Sequence, residues 1–391
     1  MDSEAFVKVL RAIPELEEIR EVWESWPGNR DSEIETYLTF VRSSPETERP
    51  HVLVVYRQGR PDAILVGRID QGKIRCRLGY FGMGFRARIM CFVYGALRGN
   101  PSSQNCELLV NEILQSLSLG EADAAYLNFL KRESDLCRLA THRPGLLCRD
   151  YIRVAQQHFG AALPATVGAF YGGLSYLTRQ KAKQKQRKLL KDYGGDVRIR
   201  CFRDAAELES LFRDVEQVAK KSYQRGLGVG FIDSPKMREQ FRLKAEKGWL
   251  RAYILYIADR PGAFWVGDVN GTTFGSDYTG YDPEFEKYSP GMYLIVKILE
   301  GFCDGNREGV TEVDFSPGAA QWKEVLSNRV WQEDSVYIFA PSIKGISLNL
   351  VRSFVVGMDQ AIKKALAHTR LLRRIKKRWR THMTPKEATP G

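Results

Sequence analysis

The alternation of apolar and polar positions is clearest in the second half of the chain. Asp204-Ala205-Ala206-Glu207 has the form of a capping box, and apolar residues then recur at Leu208, Leu211, Phe212, Val215 and Val218. That three-and-four spacing predicts a helix reaching about Tyr223. Asp233-Ser234-Pro235 opens a second helix through Phe241 and Ala245. A β-meander follows, with strands at 249–257, 263–269 and 272–281; Asn270-Gly271 between the last two carries the signal of a tight hairpin. A loop over 282–291 leads to an apolar helix at 292–303, a strand at 310–315, a loop, a helix at 319–326 and a strand at 335–339. With a strand at 197–202 placed first, the order is β-α-α-β-β-β-α-β-α-β.

The first half repeats much of this pattern. Strands are expected at 51–56, 62–69, 74–80 and 89–93, a helix at 105–117, a strand at 122–129 and a helix at 134–141. One spacing supports an internal duplication. Ser289 lies 25 residues before Asp314, and Ser103 lies 25 before Asn128, each span running loop, helix, turn, strand. The expected fold class is therefore α/β (α+β), with two tandem domains that each have a mixed central sheet flanked by helices. The domains expected are 1–165 and 196–342, joined by a basic helix over 166–195. A long amphipathic helix and tail make up 343–391.

Charge sharpens this division. The chain has 391 residues and a formal charge of +12. Arg179–Lys191 holds seven basic residues, Lys363–Arg380 holds nine, and neither contains an acid. The rest of the chain therefore nets about −4, which argues against a uniformly basic protein that coats nucleic acid. The two segments read as helices with cationic faces; the second, with Trp379 on its apolar side, suits an anionic membrane surface. The mean hydropathy is −0.34, no long apolar run suggests a spanning helix, and the acidic start suggests no signal peptide. A cytoplasmic protein is the expectation, with the basic segments open to three readings: solvated helix faces, a dock on the inner face of an anionic membrane, or an RNA contact. The seven cysteines form no C-x-x-C pair and the five histidines are scattered, so free thiols and no metal site are expected.

Two junctions stand out chemically. Tyr288-Ser289-Pro290-Gly291-Met292 follows a strand and opens a helix, where free N–H groups and the positive end of the helix dipole favour a phosphate. Asp314-Phe315-Ser316-Pro317-Gly318 follows the next strand, with Trp322-Lys323 in the helix after it. Both lie at carboxyl ends of neighbouring strands, where α/β sheets form crevices. Gly82-Met83-Gly84-Phe85-Arg86-Ala87 matches a dinucleotide-binding turn by letter. That turn needs a βαβ unit with an acid on the next strand, and Glu107, at the right count, falls in a predicted helix.

The element order and the two Ser-Pro-Gly junctions resemble the GNAT acyltransferase superfamily. They are more closely similar to its CelD-like branch, acetyltransferases of bacterial polysaccharide biosynthesis related to the Fem peptidyltransferases. The resemblance spans about 195–340. It implies acetyl-CoA as co-substrate, held by Tyr288, Ser289, Gly291, Met292, Phe315 and Gly318. It implies a catalytic group drawn from Asp314, Lys323, Asp277 and Tyr281, with Asp282 also at a suitable edge and Asp314 favoured as base. An acceptor groove would be bordered by Tyr223, Arg225, Tyr278 and Trp322. The loop at 287–291 departs from the Q/R-x-x-G-x-G/A pattern common in GNAT proteins. The first half lacks the Ser-Pro-Gly and aromatic-Lys elements, so it reads as a degenerate copy that binds no acyl donor. The implied acceptor is an amine or hydroxyl of a small-molecule or lipid-linked sugar, or of a cell-surface precursor. A Fem-like aminoacyl-tRNA donor, or a non-enzymatic scaffold of a polysaccharide synthesis complex, are the alternatives.

Overall fold

The computed structural model of the chain describes residues 5–79, 81–222, 230–303 and 308–367. Two compact units account for it. Unit 1 takes the described residues up to Gln156 and from Gln332 onward, and unit 2 those from Gln157 to Trp331.

Unit 1 begins with β1 (Phe6–Leu10), α1 (Ile13–Glu17), α2 (Arg20–Ser25), α3 (Ile34–Ser43), β2 (Thr47–Pro50), β3 (Val52–Arg57), β4 (Arg60–Leu78) and β5 (Phe81–Gly99). It continues through α4 (Ser103–Ser118), β6 (Ala124–Lys131) and α5 (Asp135–His142). The chain then enters β7 (Val154–Ala162), α6 (Val167–Gly173), α7 (Tyr176–Tyr193), β8 (Val197–Phe202), α8 (Leu208–Ala219) and α9 (Pro235–Glu246). Next come β9 (Leu250–Ile257), β10 (Arg260–Asn270), β11 (Thr273–Tyr281), α10 (Pro290–Cys303), β12 (Glu312–Pro317) and α11 (Gln321–Leu326). It closes with β13 (Arg329–Phe339) and α12 (Ile343–Ala367), and so returns to unit 1.

The two units repeat one topology. In unit 1 the strand order is β1-β3-β4-β5-β6-β13, with β2 beside β4; in unit 2 it is β8-β9-β10-β11-β12-β7. The fourth and fifth strands of each series, β5/β6 and β11/β12, are parallel, and the other neighbours within each series are antiparallel. The sixth place goes in unit 1 to β13, from the later segment of the chain, and in unit 2 to β7, which opens that unit's own run of sequence. The duplication expected from element order is thus a property of the sheets.

Alternation within strands explains why both faces of the unit 2 sheet are apolar. Tyr253, Leu255 and Trp265 point into one cluster with Leu294, Leu299 and Phe302 of α10. Their neighbours Ile254, Phe264 and Val266 point into another with Phe212 of α8 and Phe241 of α9. Strands covered on both faces read as near-continuous apolar runs. Unit 1 has its main core around Trp23, Tyr37, Leu65, Leu109 and Ile113. The polar tips of the two buried aromatics are satisfied: the Trp23 indole N–H donates to the Ser32 carbonyl at 2.8 Å, and the Tyr37 hydroxyl to the Gly67 carbonyl at 2.7 Å.

The capping box at Asp204 forms as expected, with Glu207 accepting from the Arg203 and Asp204 amides. Four short strands were expected over 51–93. The chain there makes β3 and two 19-residue strands, β4 and β5, because positions 73–77 keep alternating exposed cations with buried Ile74 and Cys76 and so continue the pleat instead of breaking it. Gly82–Ala87 therefore sits in the outer half of β5, paired with residues 72–77 of β4, and is not a nucleotide-binding turn. No helix among the described residues is long and apolar enough to cross a membrane.

Candidate active site in the gap between β11 and β12

β11 and β12 pair over three steps only, from Thr273 with Glu312 to Gly275 with Asp314. Beyond Asp314 they part. On its other side β11 carries a bulge against β10, with Val266 opposite Tyr278 and Gly267 opposite Ser276, so Asp277 is the extra residue. A bulge bends and twists its strand, which turns β11 away from β12. Position 267 must be glycine: a Cβ there would lie 1.9 Å from the Gly275 carbonyl oxygen.

Asp314 stands at the mouth of this gap. Its Oδ1 accepts from the Ser316 amide at 2.7 Å and lies 2.5 Å from Nε2 of His158 on β7. His158 is fully buried, and its ring stacks on Trp331 with centroids 4.2 Å apart. The Asp314 side chain keeps 26% of its surface exposed, so the carboxylate is within reach of solvent. Ser316 has a left-handed backbone (φ 67°) and its hydroxyl donates to the Ser276 carbonyl at 2.6 Å, joining the two strands just past the split. The Lys323 ammonium donates to the Ser316 and Pro317 carbonyls, both at 3.0 Å. Burial pushes its pKa down to about 8, against an opposing pull from Asp314. Trp322 packs edge-on to Phe315, which is fully buried core. Gly318 (φ 97°) donates its amide to the Gln157 carbonyl at 2.9 Å.

The other end of β11 leads to the start of α10. A 3₁₀ turn over Pro283–Tyr288 ends in Ser289, again left-handed (φ 54°), and Pro290 begins the helix. The Tyr288 ring is buried, and its hydroxyl donates to Asp192 of α7 at 2.6 Å. Around it gather Lys287, 4.7 Å above the ring, and Lys188 of α7 at 5.8 Å, while Lys185 donates to the Lys287 carbonyl at 2.7 Å. The basic segment 179–191 thus packs beside the helix start and adds cations to the positive end of its dipole. Gly291 lies beside the Tyr281 ring, with room for a Cβ at 3.7 Å. Met292 packs against the unit 2 core.

Asp277, Asp282 and Tyr278 have partners of their own. Asp277 lies 2.5 Å from the Lys244 ammonium, which also pairs with Asp268 at 2.7 Å. Burial opposes the charge on Lys244, but the two carboxylates outweigh it and hold its pKa well above the usual lysine value. Asp277 is therefore tied up in a charge cluster against α9. Asp282 is buried on Lys221 at 2.7 Å and accepts from the Glu284 amide, so it holds the turn. Tyr278 packs edge-on to Phe231 at 5.9 Å. Tyr223 and Arg225 lie outside the described residues. Sequence reasoning missed His158, Trp331 and the lysines of α7. Asp314 and His158 are 156 positions apart, and a lone histidine in a strand gives no local signal.

Unit 1 opens in the same place. The β5/β6 ladder stops at Phe92 and Leu127, yet the strands run on to Gly99 and Lys131. Phe129, two residues past the last pair, is left-handed (φ 47°), as is Ser316 two past Asp314. A cavity of about 300 Å³ lies there, lined by Tyr94, Ala96, Leu97, Phe129, Leu130 and Glu333. No group of acidic, histidine or cysteine side chains suited to a metal ion occurs among the described residues.

Residues 177–324 match a family model described as an acetyltransferase (GNAT) domain. No curated protein matches the chain. Among solved structures, it is similar to FemX, with 11% identity, 81% of this chain and 95% of the other covered, and a TM-score of 0.49. It is similar also to a tandem GNAT protein from the clavulanic acid biosynthesis pathway (11% identity, 87% and 99% covered, TM-score 0.47). A third is a GCN5-related N-acetyltransferase from Kribbella flavida (12% identity, 85% and 71% covered, TM-score 0.40).

Proposed function

We propose that the acetyltransferase (GNAT) domain at residues 177–324 moves an acyl group, acetyl from acetyl-CoA, to an amine or hydroxyl of a sugar or cell-surface polysaccharide precursor. The observation that carries this reading is the early split of the parallel pair β11/β12 with Asp314 and its histidine at the mouth. Strand edges that part leave backbone N–H and C=O groups free to pair with the amides of an extended pantetheine chain. The start of α10, with Lys185, Lys188 and Lys287 beside it, suits the donor's phosphates.

The donor supplies an activated thioester carbonyl. Asp314 takes the proton as the acceptor's nitrogen or oxygen attacks that carbonyl, the C–S bond breaks, and the proton passes to the leaving sulfur. His158 and the Ser316 amide fix the carboxylate's orientation. Backbone N–H groups along the split face the developing oxyanion, and Lys323 adds charge nearby. Trp322 and Trp331 are half-buried, and their rings offer apolar faces for a sugar.

Calorimetric titration of the full chain with acetyl-CoA tests the reading. Saturable binding, abolished by Gly291→Trp, is the expected result. No binding by the wild type would overturn it, and binding retained in Gly291→Trp would move the donor to another loop. Binding of aminoacyl-tRNA in place of acetyl-CoA would transfer the reading to an aminoacyl transferase on the same scaffold.

A further inference from the structure

We propose that unit 1 carries a docking surface for an anionic lipid bilayer, formed by the outer end of the β4–β5 hairpin and the adjoining end of α12. The hairpin extends well past the body of its sheet, with Gly72 to Leu78 paired to Ala87 to Phe81. Strand alternation makes this arm two-faced. Ile74, Cys76 and Leu78, with their partners Phe85, Met83 and Phe81, share one face. Lys73, Arg75, Arg77 and Arg86 share the other.

α12 lies along the apolar face, where Leu348 and Val355 pack with Ile74 and Cys76 and the partly buried Leu78 and Phe85 join the same cluster. Phe81 at the tip is left 80% exposed and Met83 37%. The four cations opposite are exposed, and none of them pairs with an acid among the described residues. The sequence carries no acidic residue from 71 to 106.

The helix is inverted relative to an ordinary surface helix. Its buried face holds Asn349, Arg352 and Asp359. Arg352 pairs with Asp150 at 2.5 Å, and Asn349 donates to the Leu147 and Arg149 carbonyls. Its outer face holds Leu350, Val351, Phe354, Met358 and Ile362, all exposed. The Gly79 amide donates to Asp359 at 2.8 Å, which pins the hairpin turn to the end of the helix where Met358 and Ile362 lie. In the sequence, Lys363–Arg380 follows directly, with nine basic residues and no acid.

An exposed apolar tip, with cations that pair with no acid among the described residues on the opposite face of the same hairpin and a polybasic segment later in the sequence, matches a bilayer interface carrying negative headgroups. A protein partner would meet the apolar stripe but leaves the cations unexplained, and a nucleic acid leaves Phe81 and Met83 unexplained.

Vesicle co-sedimentation of the full chain tests this, comparing phosphatidylcholine with phosphatidylcholine plus phosphatidylglycerol. Binding selective for the anionic vesicles and weakened by salt is expected. Each cation near such a surface is worth about fivefold in affinity, so Arg75→Glu with Arg77→Glu should lower it by more than tenfold. Phe81→Ser with Met83→Ser should lower binding and make the remainder fully salt-sensitive. All four positions are exposed, so melting temperatures should hold, which separates lost docking from lost folding. Absence of anionic selectivity in the wild type overturns the proposal, as does binding that neither pair changes. So does a finding that the pairs alter only self-association, by sedimentation velocity, or only RNA binding.

Discussion

The imidazole of His158 and the carboxylate of Asp314 sit 2.5 Å apart across two adjacent strands, the histidine fully buried and the acid partly exposed at the last β12 position paired with β11. A buried ring stacked on Trp331 cannot swing away, so it holds the carboxylate in one orientation. If Asp314 is the proton acceptor, Asp314→Asn should lower turnover by about a hundredfold to ten-thousandfold. His158→Ala should lower it less, because the Ser316 amide still holds Oδ1. In both variants donor affinity should stay near wild type, since neither residue lies at the α10 start. Turnover read as release of the CoA thiol, beside calorimetric binding of acetyl-CoA, checks this; equal loss of binding and turnover would mean these residues shape the fold instead.

Lys323 gives a prediction with a definite sign. Its pKa falls from an ordinary 10.5 to about 8 because burial disfavours the ammonium. Below pH 8 it is charged in both folded and unfolded chains, and the folded state carries the full burial penalty. Between about 8 and 10.5 the folded chain has already lost the proton that the unfolded chain still holds, so this group's contribution to stability rises with pH. Lys323→Met removes the penalty along with the two hydrogen bonds to the Ser316 and Pro317 carbonyls. Thermal melting at pH 7 and at pH 10 should show the variant's stability, relative to wild type, falling as pH rises. A constant difference would mean the amine is not desolvated.

The Lys244 cluster predicts a change of stability where the sequence suggested chemistry. Removing the cation in Lys244→Met leaves Asp268 and Asp277 facing each other without a counter-charge. Breaking a buried pair costs about 3–5 kcal/mol, and partial exposure of Asp277 places this case at the low end. Asp277→Asn should melt somewhat lower than wild type yet retain turnover within a few-fold. Denaturant unfolding and the thiol-release rate together decide this. A large loss of turnover in a stable Asp277→Asn would restore that residue to the catalytic group.

Much of the fold was legible because unit 2 follows local rules: the capping box at Asp204, the hairpin at Asn270-Gly271 and the helical stripe from Leu208 to Val218 are contacts between near neighbours. The long strands β4 and β5 were not, since nothing local distinguishes a 19-residue strand from two short ones. The place where β11 and β12 part was foreshadowed by two Ser-Pro-Gly segments, and both serines adopt left-handed backbone. His158 and Asp277 show what was out of reach. One gains its role, and the other gains a partner that occupies it, from strands and helices far away in sequence.

The two gaps need not be equivalent, and their surroundings say which should hold a phosphate-bearing donor. In unit 2 the start of α10 is flanked by Lys185, Lys188 and Lys287. In unit 1 the start of α4 is occupied by its own side chains. Ser102 accepts from the Asn105 amide at 3.3 Å, and the Asn105 side chain donates to the Asp62 carboxylate at 2.7 Å. That carboxylate brings negative charge to the place where a pyrophosphate would sit, and Arg57 at 3.3 Å offsets it only in part. The cavity between β5 and β6 is then a gap without a phosphate anchor. Calorimetry should return one CoA per chain, and Gly291→Trp should remove all of it. A stoichiometry of two, or one equivalent surviving in Gly291→Trp, would show that unit 1 binds the donor despite Asp62.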